Sequence, residues 1–325
     1  MIVLVIGGAG YVGSHAARAL RRHGHEAIIY DNLCTGFARL ADGFELIQAD
    51  IADSEKLNAA LRRVEAVMHF AAHAYVGESV QNPRKYFRNN VELGLALLNA
   101  CIDCGVHKLI FSSTCAIYGV PAKVPISEDT PCAPVNPYGV SKLFFEQALE
   151  AYDRAYDLRF ASLRYFNAAG ADESGEIGEM HQPEAHLIPL AMQAAMGARA
   201  ELEIFGTDYP TPDGTCIRDY VHVNDLAEAH VAALEYLNPE AKSIAVNLGT
   251  GRGTSVKEIL EAVEKIAGKP VPRRYGPRRP GDPPALVADP RRAESLLHWK
   301  AERSLEQIVA TAWKWMQRQT ANVTG

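Results

Sequence analysis

Through its first 168 residues the chain alternates short unbroken apolar runs with longer stretches whose apolar positions recur every three or four residues. The runs "IVLVIGG", "EAIIYDN", "ELIQADI", "AVMHFAA", "HKLIFSST" and "RFASLRYFN" read as strands. The stretches between them read as helices, beginning with "YVGSHAARALRRHGH", which should end near Gly24. Strand, helix, strand at this spacing implies right-handed crossovers and a parallel sheet. Uninterrupted apolar strands fit a sheet covered on both faces. The expected class is α/β, with a doubly wound parallel sheet.

Beyond about residue 168 the rhythm changes. Glycine, proline and acidic residues thicken through "GADESGEIGEMHQPEAH" and "GTDYPTPDGTCIRDY", which read as loop-rich, ligand-facing material. "SIAVNLGTG" (243–251) then reads as one more strand returning to the main sheet, followed by a helix over 255–267. The last helix is expected over 304–318, with Trp313 and Trp315 packing it. The expected division is a sheet domain of residues 1–168 plus about 220–250, and a smaller C-terminal α/β substrate domain made of the remainder of 169–325.

Composition narrows the class without naming the chemistry. Of 325 residues, 48% are hydrophobic and 22% charged, as in ordinary globular enzymes. A net charge of -6 offers no global attraction to nucleic acid or to an anionic membrane, so an anionic ligand must be held by local groups. No apolar run reaches the roughly 20 residues of a membrane span. With a strand expected from residue 2, no signal peptide is expected. Six scattered cysteines read as reduced thiols, and the expected location is cytoplasmic. Cys101 and Cys104 form "CIDC" in a helical pattern with no partner pair, which reads as a helix face, and no metal site is expected.

Two motifs carry chemistry. "GGAGYVGS" places Gly7, Gly10 and Gly13 between a strand and a helix, the dinucleotide-binding arrangement of a Rossmann sheet. Glycine lets backbone approach phosphate closely, and the helix amino terminus then faces the pyrophosphate with free N–H groups. Asp31, ending the second strand, suits the adenosine ribose hydroxyls and would repel a 2′-phosphate, which favours NAD over NADP. Asp50, ending the next strand, is either an adenine contact or a helix N-cap.

The second motif is "NPYGVSK", which puts Tyr138 and Lys142 on one face of a helix opening at Pro137. A nearby ammonium should lower the phenol's pKa, and an oxidised nicotinamide would push the same way. A tyrosinate near neutrality can act as general base on a sugar hydroxyl, with Thr114 of "FSSTCAIYG" hydrogen-bonded to that same hydroxyl. Cys115, beside Thr114, reads as filler because no histidine is paired with it in sequence.

With the glycine loop, "FSST" and YxxxK in place, the chain resembles the extended short-chain dehydrogenase/reductases. It is similar along nearly its whole length to the UDP-glucose 4-epimerase family within them. The carriers are "GGAGYVGSH", "DNL", "HFAA", "VGESV", "NNV", "FSSTCAIYG", "NPYGVSK", "LRYFNAAG", "GTDYPTPDGTCIRDYVHV", "NLGTG" and "RRPGDPPALVADP". The resemblance implies a cofactor, NAD, and a reaction that interconverts UDP-glucose and UDP-galactose through a 4-keto intermediate with transient hydride transfer. Tyr138, Lys142 and Thr114 would be catalytic. Gly7, Gly10, Tyr11, Val12, Gly13, Asp31, Asn32, Asp50, Ile51, Phe70, Ala71, Asn89, Ser112, Tyr138, Lys142 and Tyr165 fall at NAD-binding positions, and Phe166 borders the nicotinamide end. Asn167, His186, Leu187, Phe205, Arg218, Arg279, Asp282 and Leu286 would join Thr114 and Tyr138 in holding the UDP-sugar. Arginine forks suit a diphosphate in a protein of net negative charge, the plainer alternative being solvated surface charge.

Two departures stand out. Ala74 occupies the place where some members carry a lysine, and His186 the place of an asparagine; a surface histidine is the plainer reading of the latter. Leu286, between tyrosine and a small residue in size, leaves UDP-N-acetylglucosamine 4-epimerase activity open as a second capability. A 4,6-dehydratase is disfavoured because Cys115 and Ala116 replace the acidic pair after the threonine. A non-catalytic NAD-sensing module is disfavoured because Tyr138 and Lys142 are both kept. The family's pairing of helices between subunits, here near 89–103 and 138–156, implies a homodimer, and the same stretches would equally suit packing within one chain.

Overall fold

Successive residues of the first strand, β1 (Ile2–Ile6), point to opposite sides, and both sides are buried: Val3 and Val5 enter one apolar cluster, Leu4 and Ile6 another. This is why the run is apolar throughout rather than alternating. The computed structural model describes residues 1–238, 240–279 and 282–323. In chain order the first part runs β1, α1 (Tyr11–Arg22), β2 (Glu26–Asp31), β3 (Glu45–Gln48), α2 (Ser54–Leu61), β4 (Ala66–His69), α3 (Val76–Gln81), α4 (Pro83–Tyr86), α5 (Leu93–Asp103), β5 (Lys108–Thr114), α6 (Pro137–Tyr156) and β6 (Arg159–Tyr165). Between α4 and α5 the helix widens into a π-helical turn, Phe87–Glu92, which carries Asn89.

The rest runs β7 (Asn167–Ala169), α7 (Leu187–Met196), β8 (Leu202–Phe205), β9 (Ile217–Arg218), β10 (Tyr220–His222), α8 (Val223–Tyr236), β11 (Ile244–Leu248), β12 (Thr254–Ser255), α9 (Val256–Ala267), β13 (Arg273–Gly276), β14 (Ala285–Leu286), α10 (Arg291–Leu297) and α11 (Leu305–Val323). The main sheet has seven parallel strands in the order β11-β6-β5-β4-β1-β2-β3. As expected, 243–251 supplies a strand to it: β11 pairs with β6, Val246 opposite Leu163. One sheet face is covered by α1 and α8, the other by α2, α5 and α6.

Beyond the sheet, α7, α9 and α11 pack around Ile188, Met192, Leu260, Val263 and Val309. Small ladders join the loops there: β8 with β13, β7 with β10, and β12, β9 and β14 together. After each of the two loop-rich stretches, 170–186 and 206–220, comes a helix that the sequence reading missed, α7 and α8. α7 has Pro189 in its first turn, where no backbone donor is lost, and α8 is buried nearly all round and so shows no polar stripe. The helix expected over 255–267 is α9, set by a capping box between Ser255 and Glu258. Among the described residues no helix is long and apolar enough to cross a membrane. Pro280 and Gly281, within the "RRPGDPPALVADP" stretch, lie outside the described residues.

Candidate active site

The turn between β1 and α1 is built from backbone. Gly7 has φ +80°, and a Cβ there would lie 2.5 Å from the Ala71 nitrogen; at Gly13 it would lie 2.4 Å from the Gly7 carbonyl oxygen. Side chains are excluded at both, so strand, turn and helix close to contact distance. Gly10 caps α1 without any side-chain hydrogen bond, which leaves the first amides to a ligand. Tyr11 is buried and its hydroxyl donates to the Gly170 carbonyl at 2.6 Å; Val12 is half-buried.

Asp31 ends β2 as expected and is buried. Its carboxylate accepts from the Ala9 amide at 2.9 Å and the Leu33 amide at 2.8 Å. Burial pushes its pKa up against those two bonds. Two acceptor positions per oxygen leave capacity for ribose hydroxyls. Asp50 lies two residues past the end of β3, and the α2 cap is Asp53, whose side chain accepts from the Lys56 amide. Both sequence placements of Asp50, strand end and helix cap, are thus corrected. Instead it accepts from the Asn32 side chain at 2.6 Å and from the Ala52 amide at 2.9 Å, so Asn32 and Asp50 form one polar edge. Ile51 is buried beneath them, and Phe70 and Ala71 close the turn with amides bonded to the Ile6 carbonyl. These groups fit a bound dinucleotide: uncapped amides, a glycine floor and a carboxylate at the second strand's end.

At the far end of the sheet, Asn136 caps α6 by accepting from the Gly139 amide at 2.9 Å, and Pro137 fills the first helical position. The helix therefore starts where the sequence places it and carries Tyr138 and Lys142 one turn apart. Lys142 is buried, donates to the Ser112 carbonyl at 2.7 Å and lies 4.7 Å from the centre of the Phe111 ring. Thr114 is buried at the end of β5, where its side chain acts to lower the Tyr138 pKa and its hydroxyl accepts from the Ala116 amide at 3.2 Å. The Ser112 and Tyr165 hydroxyls meet at 2.5 Å.

Here the expected electrostatics is reversed. Burial raises the Tyr138 phenol well above its ordinary value, Tyr165 adds to the rise, and only the Thr114 bond opposes it. Burial likewise pulls Lys142 down to about 7, with Glu146 opposing. Desolvation penalises every charge in the same pocket, and at each group it outweighs what opposes it, Thr114 at Tyr138 and Glu146 at Lys142. The sequence showed the pair but not the depth at which it sits.

The candidate substrate groups come from the loops and small ladders. Arg218 is largely buried and pairs with Asp282, so solvated surface charge is the wrong reading for it. Arg279 is exposed and stacks 4.0 Å over the Phe205 ring. Leu286 sits opposite Arg218 in the ladder and packs against the cluster of Cys115 and Phe166, which joins it to the Thr114 end of β5. Asn167 starts β7 with its amide bonded to the Asp219 carbonyl, and Leu187 opens α7. Asn89 donates to the Asn90 side chain at 3.0 Å. Cys115 is buried with its thiol pushed up to about 12, in keeping with filler.

The model of the NAD dependent epimerase/dehydratase family matches residues 3–249. The chain belongs to the NAD dependent epimerase/dehydratase family. It is 48% identical over 318 residues to a UDP-glucose 4-epimerase of Rhizobium meliloti (strain 1021), covering 97% of each chain. A UDP-glucose 4-epimerase of Brucella ovis in complex with NAD matches with a TM-score of 0.94 and 50% identity, covering 96% of this chain and 97% of that one. A UDP-glucose-4-epimerase of Stenotrophomonas maltophila with bound NAD and formylated UDP-arabinopyranose matches with a TM-score of 0.96 and 42% identity over 99% of each chain.

Within this epimerase/dehydratase chain, three constellations escaped the sequence reading. Asp219 is fully buried and accepts from the Thr250 amide (2.9 Å) and hydroxyl (2.7 Å) and the Gly251 and Ala288 amides (both 3.1 Å). It thereby fixes the loops beside Arg218; its signal was the acid in "CIRDY". Glu146 and Arg164 form a buried fork joined by Ser113 and Tyr118, one helical turn behind Lys142. Finally, Glu179, His181, Glu184 and His186 come together, their ligand atoms all within 4.8 Å of one another, where no metal site was expected. His186 is half exposed, and its Nδ1 faces Glu179 at 2.6 Å and Glu184 at 3.2 Å.

Proposed function

We propose that the chain is an NAD-dependent isomerase, a UDP-glucose 4-epimerase that interconverts UDP-glucose and UDP-galactose. The observation that carries this is Tyr138 one helical turn from Lys142, whose ammonium is anchored at 2.7 Å on the Ser112 carbonyl of the strand that ends in Thr114. Bound NAD would supply a reversible acceptor for the hydrogen on carbon 4 and, when oxidised, a positive charge that favours the Tyr138 phenolate. The Tyr138 oxygen takes the proton of the sugar's 4-hydroxyl while Thr114 orients that hydroxyl. The flat 4-keto sugar turns over, and Tyr138 returns the proton once the centre is inverted. Lys142 and Ser112 hold the nicotinamide ribose, with Tyr165 beside Ser112. The glycine loop, Asp31 and the Asn32–Asp50 edge take the rest of the dinucleotide. Leu187 and Phe205 flank uracil, and Arg218, Arg279 and Asp282 hold diphosphate and ribose, with Asn167 at the sugar end. Leu286 bounds the space at carbon 2, so UDP-N-acetyl sugars are the second substrate pair to test.

The same proposal divides the chain into a dinucleotide lobe, 1–168 with about 220–250, and a nucleotide-sugar lobe made of the remainder. It also includes a homodimer. Val80, Phe87, Val140 and Phe144 are exposed on α3, α6 and the turn between α4 and α5, where a second copy could cover them. A cytoplasmic location accords with six free cysteines.

The test is to incubate the purified chain with UDP-galactose without added NAD and to identify the product. UDP-glucose supports the proposal; no conversion, even with NAD supplied, refutes it.

A further inference from the structure

The segment between β7 and α7 gathers two imidazoles and two carboxylates from an irregular loop. The His186 Nδ1 lies 2.6 Å from a Glu179 carboxylate oxygen and 3.2 Å from one of Glu184. The His181 Nδ1 lies 3.1 Å from the same Glu179 oxygen and 3.8 Å from the other Glu184 oxygen. Four donors on a zinc ion at bond lengths of about 2.0–2.2 Å stand about 3.3–3.6 Å from one another, the edge of a tetrahedron. The four carboxylate–imidazole separations straddle that edge, and with one ligand atom taken from each residue all four lie within 4.8 Å of one another.

Charge points the same way. The Glu179 and Glu184 side chains are 8% and 10% exposed, and two carboxylates so placed require compensating positive charge. With neutral imidazoles the four groups sum to -2, which one divalent cation cancels. Two nitrogen and two oxygen donors suit zinc better than magnesium or calcium, which take oxygen shells. The donors are also held from behind. Glu184 accepts the Ala185 and His186 amides at 2.8 and 2.9 Å, and Trp315 donates to the Glu179 carbonyl at 2.9 Å. The rings of Tyr11 and Tyr75 stand edge-on to His181 at 6.2 and 6.0 Å. Such outer contacts are what fix metal ligands in place.

We propose that Glu179, His181, Glu184 and His186 form a structural zinc site. The ion fastens the start of α7, immediately after His186, to α1 through Tyr11 and to the loop after β4 through Tyr75, whose hydroxyl also donates to the Pro183 carbonyl at 2.9 Å. This holds whichever reaction the chain catalyses.

The test uses the full chain without a histidine tag. Metal analysis of the purified protein and calorimetric titration of chelator-stripped protein with zinc chloride should both give one zinc per chain. His181→Asn and Glu184→Gln should each weaken binding by at least about 100-fold, the upper end of what loss of an outer-shell partner costs. If neither variant folds, the stripped wild-type chain titrated with cobalt(II) decides through the strong visible absorption of a four-coordinate site. No zinc uptake, unchanged affinity in both variants, or only the weak spectrum of six-coordinate cobalt would overturn the site and leave a cluster of imidazolium–carboxylate pairs.

Discussion

The Lys142 ammonium donates to the Ser112 carbonyl across 2.7 Å, tying the helix that carries Tyr138 to the strand that ends in Thr114. That bond satisfies one of three ammonium donors in a pocket that burial makes hostile to charge. The role proposed for Lys142 and the stability of the fold therefore pull against each other.

Lys142→Met should stabilise the NAD-stripped protein while abolishing turnover. In the folded chain the lysine titrates near 7, and in the unfolded chain at its ordinary 10.5. Between those values the unfolded chain binds the extra proton, so wild-type stability rises with pH across that window, and the penalty is full below it. The methionine advantage should be on the order of 2–4 kcal/mol at pH 7 and fade toward pH 10.5. Thermal melts of both proteins across that range measure it; equal or lower stability of the variant at pH 7 counts against a depressed lysine.

Tyr138→Phe removes the proposed proton acceptor and little else. NAD retention, read from its absorbance after gel filtration, should be unchanged, while kcat falls by about 10²- to 10⁴-fold. A variant near the wild-type rate would move the base elsewhere.

Glu146→Ala leaves the Arg164 guanidinium buried with only the Tyr118 hydroxyl for company. Loss of one partner from such a pair costs about 3–5 kcal/mol. Urea unfolding should show that loss in the midpoint, and a change under 1 kcal/mol would mean that water replaces the carboxylate.

His69 sits between Phe111 and Phe145 at 5.9 and 5.4 Å, with its Nδ1 buried and unpartnered. Burial pulls its pKa from 6.5 to about 3, so below pH 6.5 the unfolded chain takes up a proton that the folded chain refuses. Stability contributed by this site is thus lost as pH falls from 6.5 toward 3. His69→Phe should keep neutral-pH stability within about 1.5 kcal/mol and lose on the order of 2 kcal/mol less on going from pH 7.5 to 4.5. Parallel pH profiles for the two proteins would refute this.

Leu286→Tyr narrows the space on β14 opposite Arg218. Turnover of UDP-N-acetylgalactosamine should fall by about 10-fold or more relative to UDP-galactose. An unchanged ratio, in a chain that accepts both, would place the gate at another residue.

The parts legible in sequence were those whose cause is local. The strands up to β6 announce themselves because both sheet faces are buried, the turn at Gly7 because a side chain is excluded there, and the start of α6 because Asn136 and Pro137 suit a helix's first turn. α7 and α8 were hidden, one by a proline that its first turn tolerates, the other by burial on every side. At the site, residue identity placed Tyr138, Lys142 and Asp31 in the right elements, but the sign of the Tyr138 shift depends on burial, which spacing does not encode. Asp219 and the Glu179–His186 cluster draw their partners from irregular loops, where no period betrays a shared direction.

One of the two edge strands of the main sheet, β11, follows its partner β6 only after two helices and the four short strands β7 to β10 have intervened. During synthesis the apolar margin of β6 stays open until that late segment leaves the ribosome, and an open margin is a template for other chains. Fragments cut just after residue 168 should therefore clump, and completion of this enzyme depends on guarding one unfinished border.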